Sequence, residues 1–418
     1  MSQKVSRLAP ACSEERISAD LEALAAFRDP NLPGWTRTAF SQEGIDGRNW
    51  VKRQMLLAGM AVSRDAANNL IGTLQGVGGR EKAIAIGSHT DTVNSGGRFD
   101  GIIGVLGAIE IVRSLRAAGM TLNHDLRVVD FFNEEPNAYG LSCVGSRAIA
   151  GVLTREHLEL CDSSGQTLAE GLESVGGVPA DALKCSWGED ELLAFLELHI
   201  EQGPVLERSK LPLAVVTSIA GIHRVLVEFV GQADHAGATP MTDRRDALCA
   251  ASEGILEVER LASGGAGVGT VGRIESEPGA TNVVPATARF WVEFRSGSEE
   301  WLESRQIALE VELKRIAHLR SVEVSLHWLS VVSPVAVSAP VQKAIESAID
   351  QHGLQYARMF SGAGHDAAHL ARLAPMGMIF VPSKDGRSHT PEEWTDVGEI
   401  AIGARMLLQT IINLDMEN

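Results

Sequence analysis

The chain has 418 residues, and since single hydrophobic cores stop growing near ~250–300 residues, two domains are expected. Its 44% hydrophobic and 22% charged residues are those of an ordinary globular protein and exclude a largely disordered one. A net charge of −17, from 37 basic and 54 acidic residues, excludes nucleic acid and anionic membrane surfaces as natural partners, while a small anionic substrate can still be held wherever cations or an arginine gather locally.

Five cysteines (Cys12, Cys143, Cys161, Cys185, Cys249) are scattered without a C-x-x-C pair, which suits a reducing compartment. The N-terminal stretch MSQKVSRLAPACSEERISAD lacks the apolar centre of a secretory signal, and no unbroken apolar run reaches membrane-spanning length, so a cytoplasmic protein is expected. In chain order, strand patterns at 82–87, 126–133 and 194–200 alternate with a helical pattern at 102–118, which is α/β grammar. From 213 to 330 the pattern changes to strand (IHRVLVEFVG), helix (245–261), two strands (GTVGRIES, ARFWVEFR), helix (299–318) and strand (VEVSLHWL), a βαββαβ order resembling a ferredoxin-like unit. A helix at 340–352, the strand MGMIFVPS and a helix at 397–412 then resume the first pattern. The predicted layout is a discontinuous α/β domain, 1–212 with 331–418, in which a central mixed sheet is flanked by helices, around a compact α+β insert at 213–330.

Polar clusters interrupt the apolar strands where strands end or glycine turns begin, the places where α/β folds put their sites. In GSHTDTV, His89 and Asp91 point to the same side of an extended segment. The pair reads as a metal ligand with a carboxylate beside or beneath it, or as a structural hydrogen bond. In GGRFDGIIGV, Asp100 stands before an apolar helix and could be its N-cap. In DFFNEEPNAYG, Glu134 and Glu135 are adjacent acids at a strand end, which repel unless cations hold them or one is protonated. His199 in LELHIEQGPVLE and His389 in VPSKDGRSHTPEEW read singly as a core histidine and a loop histidine. Together these residues are a stock of N and O ligands without thiolate, suited to zinc, manganese, cobalt or nickel. Two such ions, roughly 3.5–4 Å apart, can bridge a hydroxide and polarise a carbonyl, with an uncoordinated carboxylate as general base.

In this order the clusters resemble the M20 metallopeptidase clan, and HIEQGPVLE, GAGHDA and MIFVPSKDGRSHTPEE resemble its hydantoinase/carbamoylase amidase branch, from about residue 17 onward. The resemblance implies two divalent metal ions held by His89, Asp100, Glu135, His199 and His389, with Asp100 bridging. It implies Glu134 as the general base, with Asp91 in the catalytic set. It also implies substrate contacts from His235 (GQADHAGATPM), Asn282 (TNVVP) and Arg295 (WVEFRS), the last as a carboxylate clamp, with Gln202 and His365 as further contacts to a carbamoyl or amide group.

The implied activity is hydrolysis of an N-carbamoyl-L-amino acid or related ureido acid by a homodimer whose insert serves as lid and dimer contact. Allantoate amidohydrolase is the nearest alternative, followed by an aminoacylase or dipeptidase of the same clan, and last a catalytically silent binding protein. One departure bears on substrate choice. Where the carbamoylase and allantoate branches continue after the two glutamates with Gly, a small residue, Arg and Phe, this chain has Pro136, Asn137, Ala138 and Tyr139.

Overall fold

Runs such as AIAIGSH and LLAFLELHI show no alternation of polar and apolar residues, as expected of strands covered on both faces. In the computed structural model, which describes residues 8–417, strands Ala83–His89, Leu126–Phe131, Leu192–Ile200 and Met376–Val381 are almost wholly buried and pair in parallel. Seven of the sheet's nine described strands run in the order Ala61–Arg64, Leu70–Leu74, Leu126–Phe131, Ala83–His89, Leu192–Ile200, Met376–Val381, Ala214–Ile219. Its outer pairings are antiparallel, which makes it a mixed sheet.

Helices Glu14–Ala25, Ile102–Ala117, Ala339–Gln351 and Val397–Glu417 contact one another and the sheet through one continuous core. Ile103, Val105, Leu106, Ile109, Ile111, Val112 and Leu115 of the second are wholly buried, each worth ~1.5–3 kcal/mol relative to exposure. The stretch Val397–Met416 is long and apolar enough to cross a membrane, yet 67% of its most apolar window is buried and Ile400, Ala404, Leu407, Leu408 and Ile411 belong to this core. A separate apolar cluster around Phe132, Tyr139, Leu141, Leu168 and Leu172 is built by the short helices Val144–Ile149 and Leu168–Ser174 with their loops.

The chain divides into two units. The first extends to Thr217 and takes in Val337–Met359 and the chain from Gly364 onward; the second comprises Ser218–Ala336 and Phe360–Ala363. The passage out falls inside strand Ala214–Ile219, beyond the position expected from the change in pattern, because that strand begins as a member of the first sheet. The return of Phe360–Ala363 to the second unit has no sequence signal.

In the second unit, strands Gly221–Val230, Gly267–Glu277, Thr287–Ser296 and Glu323–Val332 form an antiparallel sheet in the order fourth, first, third, second. Thr287–Ser296 alternates half-buried and buried along its length. The buried set, with Val225, Val227 and Phe229, packs against helices Ala247–Ala262 and Glu299–Arg320. The helix Gln42–Leu57 and the antiparallel pair Ala61–Arg64 and Leu70–Leu74, early in the chain, were not anticipated from pattern.

Candidate active site

The four parallel strands end on one side of their sheet, and the residues at and after those ends converge there. His89 closes its strand, Glu134 and Glu135 follow Leu126–Phe131, His199 is next to last in Leu192–Ile200, and His389 lies in the loop after Met376–Val381. Asp100 is delivered by the turn into helix Ile102–Ala117. That helix is capped by Gly101 at φ 67°, with no side-chain cap. A Cβ at Gly101 would lie 2.2 Å from the His89 ring. Only glycine meets both demands, and the Asp100 carboxylate is not used as an N-cap.

It turns instead to the histidines. Asp100 Oδ1 is 3.1 Å from His199 Nε2 and 3.9 Å from His89 Nε2, while Oδ2 is 3.2 Å from His389 Nε2. His389 Nε2 is in turn 3.3 Å from Glu135 Oε1. Two ligand groups therefore share one carboxylate: His89, Asp100 and His199, and Asp100, Glu135 and His389. His89 Nδ1 lies 3.0 Å from the Asp91 carbonyl and His199 Nδ1 2.9 Å from the Ile200 carbonyl. A carbonyl can only accept, so each Nδ1–H donates and each Nε2 faces the carboxylates. Glu135 Oε1 is buried with no hydrogen-bond partner among the described residues. Convergent imidazole and carboxylate donors with an orphaned buried oxygen fit divalent cations.

The electrostatics point the same way. Against burial, the charges of Glu134, Asp91, Glu135 and Asp100 hold His89 well above its ordinary pKa. The Asp100 and Glu135 carboxylates beside its ring push His389 up to about 11. The carboxylates demand positive charge at these rings, which a proton or a cation supplies alike. Glu134 stands apart from both ligand groups, its Oε2 3.6 Å from His89 Nε2. Burial pushes it well above the usual carboxylate range, with His89 opposing and Asp366 and Glu135 adding, the state expected of a proton-transfer group.

Several surrounding groups fix this set. The Asp91 carboxylate accepts from the backbone N–H of Glu134 (3.3 Å) and Glu135 (3.2 Å), so it aligns the two acids, while its carbonyl and not its carboxylate orients His89. Arg37, only 1% exposed, donates to the carbonyl of Thr90 at 2.8 Å and holds the strand end from below. Burial lowers its pKa to about 10, with Asp130 and Asp91 opposing. Gln202 Nε2 and Ser388 Oγ lie 2.6 and 2.7 Å from Asp100 Oδ2. The His365 ring meets that of His199 edge-on at 4.5 Å. Burial, with His199 beside it, keeps His365 well below its ordinary pKa. Cys143 Sγ lies 3.6 Å from Glu134 Oε1.

Arg37, Cys143 and Glu393 are absent from the sequence-derived set. Arginine is rarely buried, and the others lie in loops without periodicity. In the departing segment, Asn137 accepts from the N–H of Tyr139 and Leu141 and donates to Asn133. Tyr139 is buried against Phe40 with its hydroxyl 3.1 Å from Gln166 Oε1, so its side chain belongs to the core.

In the second unit, His235 and Asn282 are neighbours on the ribbon of Asp234–His235 with Val283–Val284, and Ala236 N–H donates to the Asn282 carbonyl. His235 Nδ1 accepts from the N–H of Gly237 (3.0 Å) and Ala238 (3.1 Å), so the neutral ring carries its proton on Nε2. Arg295 Nε pairs with Glu293 at 2.6 Å and Nη1 donates to the Gly362 carbonyl at 3.0 Å.

The model of Peptidase family M20/M25/M40 matches residues 85–413. The chain belongs to this family. An N-carbamoyl-L-amino acid amidohydrolase of Geobacillus stearothermophilus is 39% identical to this M20 chain over 401 residues, covering 96% of it and 98% of the relative. A ureidoglycolate hydrolase of Oryza sativa subsp. japonica is 35% identical, covering 96% and 84%. Among solved structures, an amidase of the hydantoinase/carbamoylase family from Burkholderia multivorans superposes with a TM-score of 0.90 at 35% identity, covering 97% of this chain and 98% of that one. These similarities place this M20 protein in the hydantoinase/carbamoylase amidase branch.

Proposed function

We propose that this protein hydrolyses the carbamoyl nitrogen bond of an N-carbamoyl-L-amino acid or a related ureido acid. That it is a hydrolase of carbon–nitrogen bonds outside peptides follows from its branch of the M20 family; the substrate and the residue roles are our reading. The observation that carries it is the pair of ligand groups sharing Asp100, with Glu134 beside them and in neither. His89, His199 and Asp100 would hold one divalent cation, and Asp100, Glu135 and His389 a second, with zinc or manganese suited to the donors and cobalt or nickel also compatible. Cations bound there supply Lewis-acid polarisation of a carbonyl and lower the pKa of water.

Glu134 takes a proton from the attacking water and returns it to the leaving nitrogen. Asp91 keeps Glu134 and Glu135 aligned through their backbone N–H groups. His235, with its proton on Nε2, and the Asn282 amide are donors for the developing oxyanion. Arg295 recognises the substrate carboxylate with the guanidinium donors that Glu293 and Gly362 leave over. Gln202 and His365 contact the carbamoyl or amide group. Water adds across the carbamoyl group, and the products are the free amino acid, ammonia and carbon dioxide. In the same reading the second unit is the lid and the homodimer contact, and the enzyme works in the cytoplasm.

Ammonia release by manganese- or zinc-loaded protein, measured on N-carbamoyl-L- and D-amino acids, N-carbamoyl-β-alanine, ureidoglycolate and allantoate, tests the proposal. Metal-dependent release from the L-carbamoyl compounds is expected. Release confined to allantoate or ureidoglycolate would move the assignment within the ureido acids. Silence on all of them with metals bound would overturn it in favour of acylated amides or a binding role.

A further inference from the structure

The His389 side chain is 49% exposed, so packing does not hold it, and its backbone sits at a left-handed φ of 58°, an uncommon conformation for a side-chain-bearing residue. The loop that carries it nevertheless has to keep Nε2 within reach of Asp100 and Glu135. Behind this loop lies Glu393, only 2% exposed. Its Oε1 accepts from the N–H of Phe99 (2.8 Å) and of Asp100 (3.1 Å). Its Oε2 accepts from the Ser388 hydroxyl (2.9 Å) and, more distantly, from the His389 N–H (3.4 Å). One carboxylate thus spans two loops far apart in sequence, with one oxygen on each.

The cradle is built for it. A Cβ at Gly97 would lie 2.1 Å from Glu393 Oε1, so the segment preceding Asp100 is bare where the carboxylate seats. The junction is closed from outside by Arg98, whose guanidinium stacks on the rings of Trp35, Phe99 and Trp394. Phe99 and Trp394, chain neighbours of Asp100 and Glu393, also meet edge to face.

We propose that Glu393 is a positioning residue that sets the separation between the two ligand groups, by tying the backbone of Asp100, common to both, to the backbone of His389, which belongs to one. The inference rests on the proposed two-cation reading. It predicts an asymmetry: loosening Glu393 weakens the group containing His389 and Glu135 and spares the group built on His89 and His199, whose rings are fixed by their own carbonyl bonds. Loss of a partner outside the ligand sphere typically costs 10–100-fold in metal affinity.

The test is titration of the metal-free protein with cobalt(II), followed by visible absorption and chelator competition. Glu393→Gln keeps the volume and can still accept from Phe99 and Asp100, but its amide NH₂ opposes the His389 N–H, donor against donor. Gly97→Ala, at a residue without a left-handed φ, sets a Cβ against the whole Glu393 side chain, 2.4 Å from its Cβ, and so shifts the carboxylate without changing its chemistry; it carries the test if the Gln variant does not fold. Two ions are expected in the wild type. In Glu393→Gln the first should bind unchanged and the second about 10–100-fold more weakly, with an altered spectrum; in Gly97→Ala, which also disturbs the oxygen seated on Asp100, the second should weaken at least as much. Two ions bound with wild-type affinities and spectra in either folded variant would overturn the inference alone. A wild type that binds no divalent ion would overturn the functional reading and the inference with it.

Discussion

Replacing Glu134 with Gln separates proton transfer from cation holding. The side chain lies in neither ligand group, and its nearest polar neighbours, His89 Nε2 and Cys143 Sγ, are both 3.6 Å away. No short hydrogen bond to the ligand set is lost, the volume is conserved, and a group that burial already holds toward its neutral form, with His89 opposing and Asp366 and Glu135 adding, is replaced by a neutral one. Folding stability is therefore expected within about 1 kcal/mol of wild type, well below the cost of breaking a buried network. The chemical step should suffer far more. A positioned general base contributes typically ~10²–10⁴-fold, equivalent to about 2.7–5.4 kcal/mol of barrier. The assay is ammonia release from an N-carbamoyl-L-amino acid by the metal-loaded protein, with metal content measured on the same samples. A Gln variant that keeps activity within tenfold of wild type, or one that loses its ions, would refute the separation of roles.

Arg295→Lys keeps the charge and loses the fork, so KM for carboxylate substrates should rise with kcat little changed; an unchanged KM in steady-state kinetics would leave Arg295 as no more than the partner of Glu293. Gly101→Ala introduces a Cβ 2.2 Å from the His89 ring at φ 67°. About 1–3 kcal/mol of backbone strain is expected before the clash is counted, read as a lower urea midpoint together with weaker cobalt binding. His369 tests a group away from the proposed ligands: burial, with Arg147 and Arg372 beside it, lowers its pKa to about 3. Its folded value is below its unfolded value, so its contribution to stability is full above the unfolded pKa and is lost as pH falls toward 3. The loss reaches about 2 kcal/mol by pH 5 at ~1.4 kcal/mol per unit. Urea midpoints of His369→Gln should therefore fall less between pH 7 and 5 than those of wild type, and parallel curves would contradict the shift.

What the sequence disclosed was whatever is local. The parallel strands announce themselves as unbroken apolar runs, and the polar residues that end them are the ones that meet in space. Asp100 shows the limit of local reading: beside an apolar helix it looks like an N-cap, and only the ring of His89 pressed against Gly101 explains why glycine caps that helix. Arg37, Cys143 and Glu393 were hidden for a different reason. Arg37 acts on Thr90 and Glu393 on Phe99 and Asp100, groups distant in sequence, while Cys143 meets Glu134 from the far end of an irregular loop, and no spacing rule links such partners. Gln42–Leu57 gives a weak signal because polar residues outnumber its apolar ones and its burial is decided by tertiary contacts, whereas Glu14–Ala25 carries Ile17, Leu21 and Leu24 at helical spacing behind the Ser13 cap and was legible in the sequence.

The order of strands has a consequence for biosynthesis. Met376–Val381 lies in the sheet between Leu192–Ile200 and Ala214–Ile219, although both of those leave the ribosome long before it. Until it arrives, the buried, apolar Leu192–Ile200 has an open edge while the whole second unit is being translated. Such an edge is a template for pairing between nascent chains. His389 and Glu393 follow that strand, so a chain interrupted before it carries the aggregation hazard without the prospect of a finished site. Holdase chaperones should accordingly bind translation intermediates that end between residues 200 and 376.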